Sequence, residues 1–258
     1  MHLPISVFII AQNESDRIGI TINSVKDWVD EVVVIDSGSS DDTVSVSTFL
    51  GARVLYNKWD GYGLQKRFGE DKCKNNWLLN LDADEEITEE LAQEIKDLFA
   101  AGEPALSGYI VKVRDLLPSE TKFALLAHTN HCLRLYNRNK GRFSDSPVHD
   151  SVIMQDGEPV GKLKALVRHR SFRSITHAIE KMNSYTSAQA ANLYAKNGLI
   201  FARTRLIFEF SASFFKAYFL RLYILRGTRG IIYANIYAFG RVMRVAKYIE
   251  LKENRGNT

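Results

Sequence analysis

Along the first hundred residues, short continuous apolar runs alternate with stretches of helical periodicity. ISVFIIA (5–11), EVVVIDS (31–37), ARVLYN (52–57) and NWLLNLD (76–82) are β-rich and bounded by polar or turn residues. They read as strands buried on both faces. Residues 15–28 and 42–50 show helical spacing and begin with Ser and Asp, residue types that mark helix starts. Thr88 opens another helix that ends near Gly102. Strands separated by helices predict βαβ units with right-handed crossovers, an α/β fold whose mostly parallel sheet is flanked by helices. From 107 to 170 the pattern changes. GYIVKVRD, HCLRLYN and LVRHRS are strand-like and separated by loops containing Pro118, Pro147 and Pro159, which predicts a mixed or antiparallel extension of the sheet where an acceptor would sit. Beyond Ser174 the chain reads as three helices over 175–197, 206–225 and 231–251, with no repeat and no low-complexity linker.

Composition narrows this picture without redirecting it. The chain has 258 residues, 45% hydrophobic and 25% charged, too apolar for a disordered chain and suited to one large α/β domain with appendages. Cys73 and Cys132 are too few for a disulfide framework and lack zinc-site spacing, so a reducing compartment is expected. The first apolar run has no basic stretch before it and no small-residue cleavage site after it, and no signal peptide is expected.

Charge is more informative. The net is +4, yet residues 201–258 hold eleven Lys and Arg against three Glu, a net of +8 that leaves −4 on residues 1–200. The same tail carries twelve of the 25 Phe and Tyr. A basic aromatic end on an acidic body predicts an anionic surface as partner, either membrane or nucleic acid. The longest uncharged stretch there, Gly230 to Gly240, is eleven residues, short of the roughly 20 a spanning helix needs. On a helical wheel Arg205, Glu209 and Lys216 share a side while Phe208, Phe214, Phe215 and Tyr218 crowd elsewhere, with Arg221 out of place. An interfacial helix with its phenylalanines in the acyl boundary fits; so does a helical cap packing those aromatics on protein.

Three acidic features stand at strand ends: Gln12-Asn13-Glu14 after the first, Asp36-Ser37-Gly38-Ser39-Ser40-Asp41-Asp42 after the second and Asp82-Ala83-Asp84-Glu85 after the fourth. Ligands of open α/β sheets bind beyond the carboxyl ends of the strands. Neither a G-x-G-x-x-G after the first strand nor a P-loop is present, so phosphate needs another counter-charge. On an extended strand Asp82 and Asp84 point the same way and can face one hard cation, commonly held by one or two carboxylates plus substrate phosphates. The competing reading of D-x-D is a solvated turn or helix cap. Asp36 likewise suits either a ribose or uracil contact or an ordinary Ser/Gly loop. His128 and His131 have no carboxylate beside them and are assigned to structure or acceptor contact; Ser144, Asp145 and Ser146 read as a turn, and no G-x-S-x-G supports a hydrolase.

The order ISVFIIAQNESDRI, VVVIDSGSSDDT, YGLQKRF, WLLNLDADEEI resembles family 2 glycosyltransferases of the GT-A (Rossmann-like) fold, and more narrowly the bacterial lipopolysaccharide core β-glucosyltransferases. The likeness is dense over residues 3–100 and thinner to about 175. It implies a GT-A catalytic domain over 1–174, its nucleotide-sugar half at 1–100 and acceptor half at 101–174; the charge and aromatic pattern of the tail predicts a membrane-associating helical extension at 175–258. The likeness also implies that Ala11, Gln12, Asn13, Glu14 and Asp36 hold the base and ribose and that Gln65 and Arg67 lie near the uridine or diphosphate. Asp82 and Asp84 would engage Mg²⁺ or Mn²⁺ and the diphosphate, with His169 completing that shell. Val148-His149-Asp150 falls where such enzymes place the base, which would be Asp150; relatives usually carry His-Glu there, so the arm is shorter here.

The implied activity is inverting transfer of a hexose, with UDP-glucose the expected donor and a heptose of a lipid-linked inner-core oligosaccharide the expected acceptor. The implied location is the cytoplasmic face of the inner membrane, as a peripheral protein. The processive Q-x-x-R-W signature is absent, which implies a single addition. Two rivals are a sugar nucleotidyltransferase, which would begin with a Gly-rich basic loop that Ile10 to Glu14 does not offer, and a nonenzymatic nucleic-acid or membrane binder, which leaves the acidic crevice unexplained. Nucleic acid is not an expected partner.

Overall fold

A computed structural model of the chain describes residues 2–118, 120, 129–145, 150–196, 198 and 201–256. His128, Val148 and His149 lie outside the described residues. The chain divides into two compact units, one formed by residues 1–114 and 129–169, the other by 115–128 and 170–258.

In the first unit an eight-stranded sheet runs in the order β3-β2-β1-β4-β7-β6-β10-β5. The strands are β1 (Leu3–Ala11), β2 (Val29–Asp36), β3 (Arg53–Tyr56), β4 (Trp77–Asp82), β5 (Glu85–Ile87), β6 (Gly108–Asp115), β7 (Thr129–Asn137) and β10 (Val160–His169). A separate hairpin pairs β8 (Gly141–Phe143) with β9 (Val152–Met154). Strands β1 to β4 are mutually parallel, and β7 begins the antiparallel half against β4. All four predicted amino-terminal strands form, because runs such as Val32 to Ile35 are buried on both faces. One face packs Ile5, Val7 and Ile9 with Val34 and Leu79; the other packs Phe8, Ile10, Val33, Ile35 and Tyr136.

Helices α1 (Ile18–Asn23), α2 (Thr43–Phe49), α3 (Tyr62–Lys72) and α4 (Glu89–Phe99) link the strands. Helix α1 is much shorter than the predicted 15–28, since residues after Asn23 turn to deliver Trp28 into the core. Helix α4 begins as its sequence predicts: the Thr88 hydroxyl accepts from Leu91 N, satisfying one of the donors a helix start leaves free. In α3, a Cβ on Gly69 would come within 2.8 Å of the Phe8 ring, so only glycine lets α3 lie this close to β1. That approach sets the height of the residues one turn earlier.

The second unit is helical: α5 (Ile175–Ala195), α6 (Ala202–Phe215) and α7 (Gly227–Gly256). The continuous helix predicted over 206–225 is not what forms. After α6 come a π-helical turn at 216–220 and a 3-10 turn at 223–226, with Leu222 between them in the left-handed region at φ 56° and Gly227 at φ 57°. A left-handed residue ends an α-helix, so the chain reverses here and α7 runs back along α6. Leu117, Phe172, Ala178 and Tyr233 form a small core.

Helix α6 is turned inside out. Its buried residues are Glu209 and Ser213, continued by Ala217, while Ile207, Phe208, Phe215, Phe219 and Leu220 are exposed. Glu209 is held inside by Arg205 and by Arg241 of α7. No described helix is long and apolar enough to cross a membrane.

Candidate functional site

Strand register assembles the site. Ala11 lies opposite Asp36, and Ile10 opposite Asp82, so the carboxyl ends of three adjacent parallel strands stand side by side, where ligands of such sheets bind. Two loops above them are laced together. Asn13, at φ 56°, donates from its backbone to Ser39 Oγ and accepts from Ser40 N, Glu14 N donates to Thr43 Oγ1, and Ser15 N donates to Asp41 Oδ2. Asn tolerates the left-handed conformation better than most residues. Burial pushes the Asp41 carboxyl upward, but the hydrogen bonds from Thr43 and Ser15 override it and lower it to about 2.

Several residues assigned to the nucleotide do structural work in this lacing. Asp36 Oδ2 accepts from Gly38 N and Ser39 N at 2.8 and 3.0 Å, closing its own turn. Buried Gln65 donates to Ser37 Oγ and Asn57 O and accepts from Asn57 Nδ2, clamping the ends of β2 and β3. Arg67 reaches Phe143 O at 3.3 Å. Ala11 is buried and its carbonyl accepts from Ser37 N, whereas Gln12 is exposed.

The two aspartates of D-x-D do not share a face. Strand β4 ends at Asp82, and Ala83-Asp84 form a turn into β5, so the two-residue repeat of an extended strand does not extend to Asp84. Asp82 meets cations: Lys66 Nζ at 2.9 Å on Oδ1 and Arg134 Nη2 at 2.8 Å on Oδ2. Burial by itself would raise this carboxyl; Arg134 and Lys66 override it and hold the group well below the usual carboxylate range. Asp84 meets His169 Nε2 at 3.3 Å on Oδ1 and Arg17 Nη1 at 3.4 Å on Oδ2. The antiparallel pairing of His169 with Glu85 brings that imidazole to the turn.

Lys66 is the residue the sequence reading passed over. Fully buried on α3, it spans from Asp82 to Asp150 Oδ2 at 2.6 Å and lies 5.3 Å over the Phe143 ring. Arg134 is the second. It donates to Asn80 Oδ1, Asp82 Oδ2 and Glu85 Oε1. Burial raises Glu85, with Arg134 opposing and Asp82 adding to the rise. Each left a signal: a Lys in the middle of YGLQKRF, and an Arg inside the apolar run LRLY. A buried cation in such a run must be paired, which points to a carboxylate cluster. His131 lies on β7 opposite Lys112.

Among the described residues no three His, Cys, Asp or Glu side chains are placed to hold a metal ion together. Asp84 and His169 form a pair whose oxygen and nitrogen stand 3.3 Å apart. Neighbouring ligands of an octahedral ion with bonds of 2.0–2.1 Å are about 3 Å apart, and such ions keep several positions for water and substrate phosphates. The pair therefore fits Mg²⁺ or Mn²⁺ as a two-residue foothold, with Asp82 already committed to Lys66 and Arg134.

The family profile described as "Glycosyl transferase family 2" matches residues 6–154. An uncharacterized glycosyltransferase of Rickettsia typhi is 41% identical over 255 residues, 96% of this chain and 87% of its own length. The lipopolysaccharide core biosynthesis glycosyltransferase LpsC of Rhizobium meliloti is 31% identical over 231 residues, 87% of this chain and 82% of its own length. Among solved structures, residues 1–349 of TarS from S. aureus match at 14% identity over 99% of this chain and 92% of that one, with a TM-score of 0.48.

Proposed function

The chain belongs to glycosyl transferase family 2, and we propose that it is a metal-dependent, inverting hexosyltransferase that moves glucose from UDP-glucose to a heptose of a lipid-linked inner-core oligosaccharide. One observation carries the chemical part: an ionic chain runs from Asp150 through Lys66 to Asp82 and Arg134, beside the Asp84–His169 pair. The inner-core acceptor is supported by the likeness to LpsC.

In this reading Ala11 to Glu14 and the Asp36 turn shape the nucleoside pocket, Asp36 acting through the loop it closes. Asp84 and His169 hold Mg²⁺ or Mn²⁺, which when bound supplies positive charge to the departing diphosphate. Asp150 takes the proton from the acceptor hydroxyl as that oxygen attacks the anomeric carbon opposite the leaving diphosphate, so no covalent sugar–enzyme species is needed. Lys66 fixes the Asp150 carboxylate through a 2.6 Å ion pair. Positioned proton transfer of this kind contributes about 10²- to 10⁴-fold.

The inside-out α6, with Phe208 66% and Phe215 55% exposed, supports a peripheral site on the cytoplasmic face of the inner membrane. Phenylalanines of that kind lower their free energy in the acyl boundary, and Arg and Lys beside them favour anionic lipid. The deciding experiment is UDP release from a panel of UDP-sugars, with heptose-containing acceptors and with or without Mn²⁺. UDP-glucose turnover that needs acceptor and metal is the expected result; turnover of another donor, or none, removes the reading.

A further inference from the structure

In the helical unit, more positive charge gathers around Glu209 than that carboxylate neutralises. Buried on α6, Glu209 accepts from Arg205 Nε through Oε2 and from Arg241 Nε through Oε1, the latter at 3.1 Å. Arg244 follows Arg241 by about one turn on α7, yet its Nη2 comes only to 3.9 Å of Oε1, beyond hydrogen-bond distance. The Arg244 side chain is 14% exposed. Its Nε is buried without a partner, and among the described residues its guanidinium makes no hydrogen bond. A guanidinium presents five donors in a fixed fork, and leaving such groups buried and unmet is costly. Three guanidiniums within 4 Å of one carboxylate leave two positive charges unmatched around Glu209. Tyr248, one turn further along the same α7 stripe, is also buried with its hydroxyl unpartnered.

We propose that Arg205, Arg241 and Arg244 form a binding site for a phosphate group, with Arg244 as its main unused donor. Phosphate is the anion that suits them. It carries close to two charges as a monoester, and its oxygens match the guanidinium fork in pairs. Carboxylate chemistry is already represented by Glu209, which leaves Arg244 unsatisfied. The phosphate comes either from a lipid headgroup or from solution; Ile207 and Phe208, exposed on the same helix, place an apolar surface within a turn of the site. The site stands independently of the transferase reading.

The test uses the full chain and two probes: inorganic phosphate at constant ionic strength, read by calorimetry and thermal shift, and phosphatidylcholine vesicles with or without phosphatidic acid, read by co-sedimentation. Arg244→Gln is expected to weaken binding of at least one probe by about tenfold or more, the worth of one charge-assisted hydrogen bond. Glu209→Gln removes the competing anion and is expected to tighten it by about tenfold, a gain that a purely structural cluster does not give. A difference seen with inorganic phosphate assigns the site to a soluble phosphate, and one seen only with phosphatidic acid assigns it to a headgroup. Unchanged binding of both probes in Glu209→Gln, or in a folded Arg244→Gln, overturns the proposal.

Discussion

The two units bury charge in opposite ways. In the sheet unit, carboxylates and cations meet near the carboxyl ends of β-strands whose flanks are apolar, and Asp82, Glu85, Arg134 and Lys66 compensate one another. In the helical unit the one buried carboxylate among the described residues, Glu209, sits between helices while Phe208 and Phe215 of the same helix are exposed. Buried charges are costly unless paired, and the two units pair theirs in different settings. In the proposed reading the charges of the sheet unit face the sugar-nucleotide donor and the acceptor. In the same reading the exposed phenylalanines of α6 face the membrane.

The largest break in that comparison is at the strand-end site. Asp84→Ala should lower UDP-glucose turnover by more than about 10³-fold, removing both the metal foothold and the partner of His169; retained turnover in metal-free buffer would take the cation out of the mechanism. Asp150→Asn keeps the shape and loses the proton acceptor, so kcat is expected to fall by about 10²- to 10⁴-fold with little change in the affinity for UDP. Equal losses in UDP binding would make Asp150 a donor-site residue.

Smaller effects sharpen the helical side. Phe208→Ser with Phe215→Ser should lower partition onto anionic vesicles by about tenfold and leave Tm unchanged, because side chains already exposed cost the fold little to replace. A falling Tm would mean these rings pack on protein. The smallest expected effect lies in the loop lacing. Asp41 is held at about 2 against an ordinary 3.8, so its charged form favours the folded state. That stability is present above about pH 4 and lost as the pH falls toward 2. Asp41→Asn should therefore lower Tm by about 2 to 4 °C at pH 7, and the gap to wild type should close in a melting series taken down to pH 2.

How much of this was legible before the fold depended on distance along the chain. Hydrophobic runs fixed β1 to β4 within a residue or two, and Thr88 marked the start of α4, because burial on both faces and capping leave local signatures. Hairpin β8–β9 and strand β5 left none, being three residues each. The helix predicted over 206–225 broke because α6 passes into a π-helical turn at 216–220 and Leu222 then enters the left-handed region, neither of which apolar periodicity encodes. Site residues followed the same rule. Asp36, Asp82 and Asp84 announced themselves as carboxylates at strand ends.

What they touch was decided only by register and packing. Sequence spacing placed Asp82 and Asp84 on one face; the turn at Ala83 separated them, giving one to Lys66 and Arg134 and the other to His169 and Arg17. Lys66 reaches Asp150 across 84 residues of chain, a contact no local pattern records, since it depends on Gly69 letting α3 settle against Phe8. The α/β architecture and the acidic strand ends were therefore written in the order of residues. The pairing of charges, and which face of α6 looks outward, came from long-range packing, where the need to neutralise buried ions overrides helical and strand periodicity.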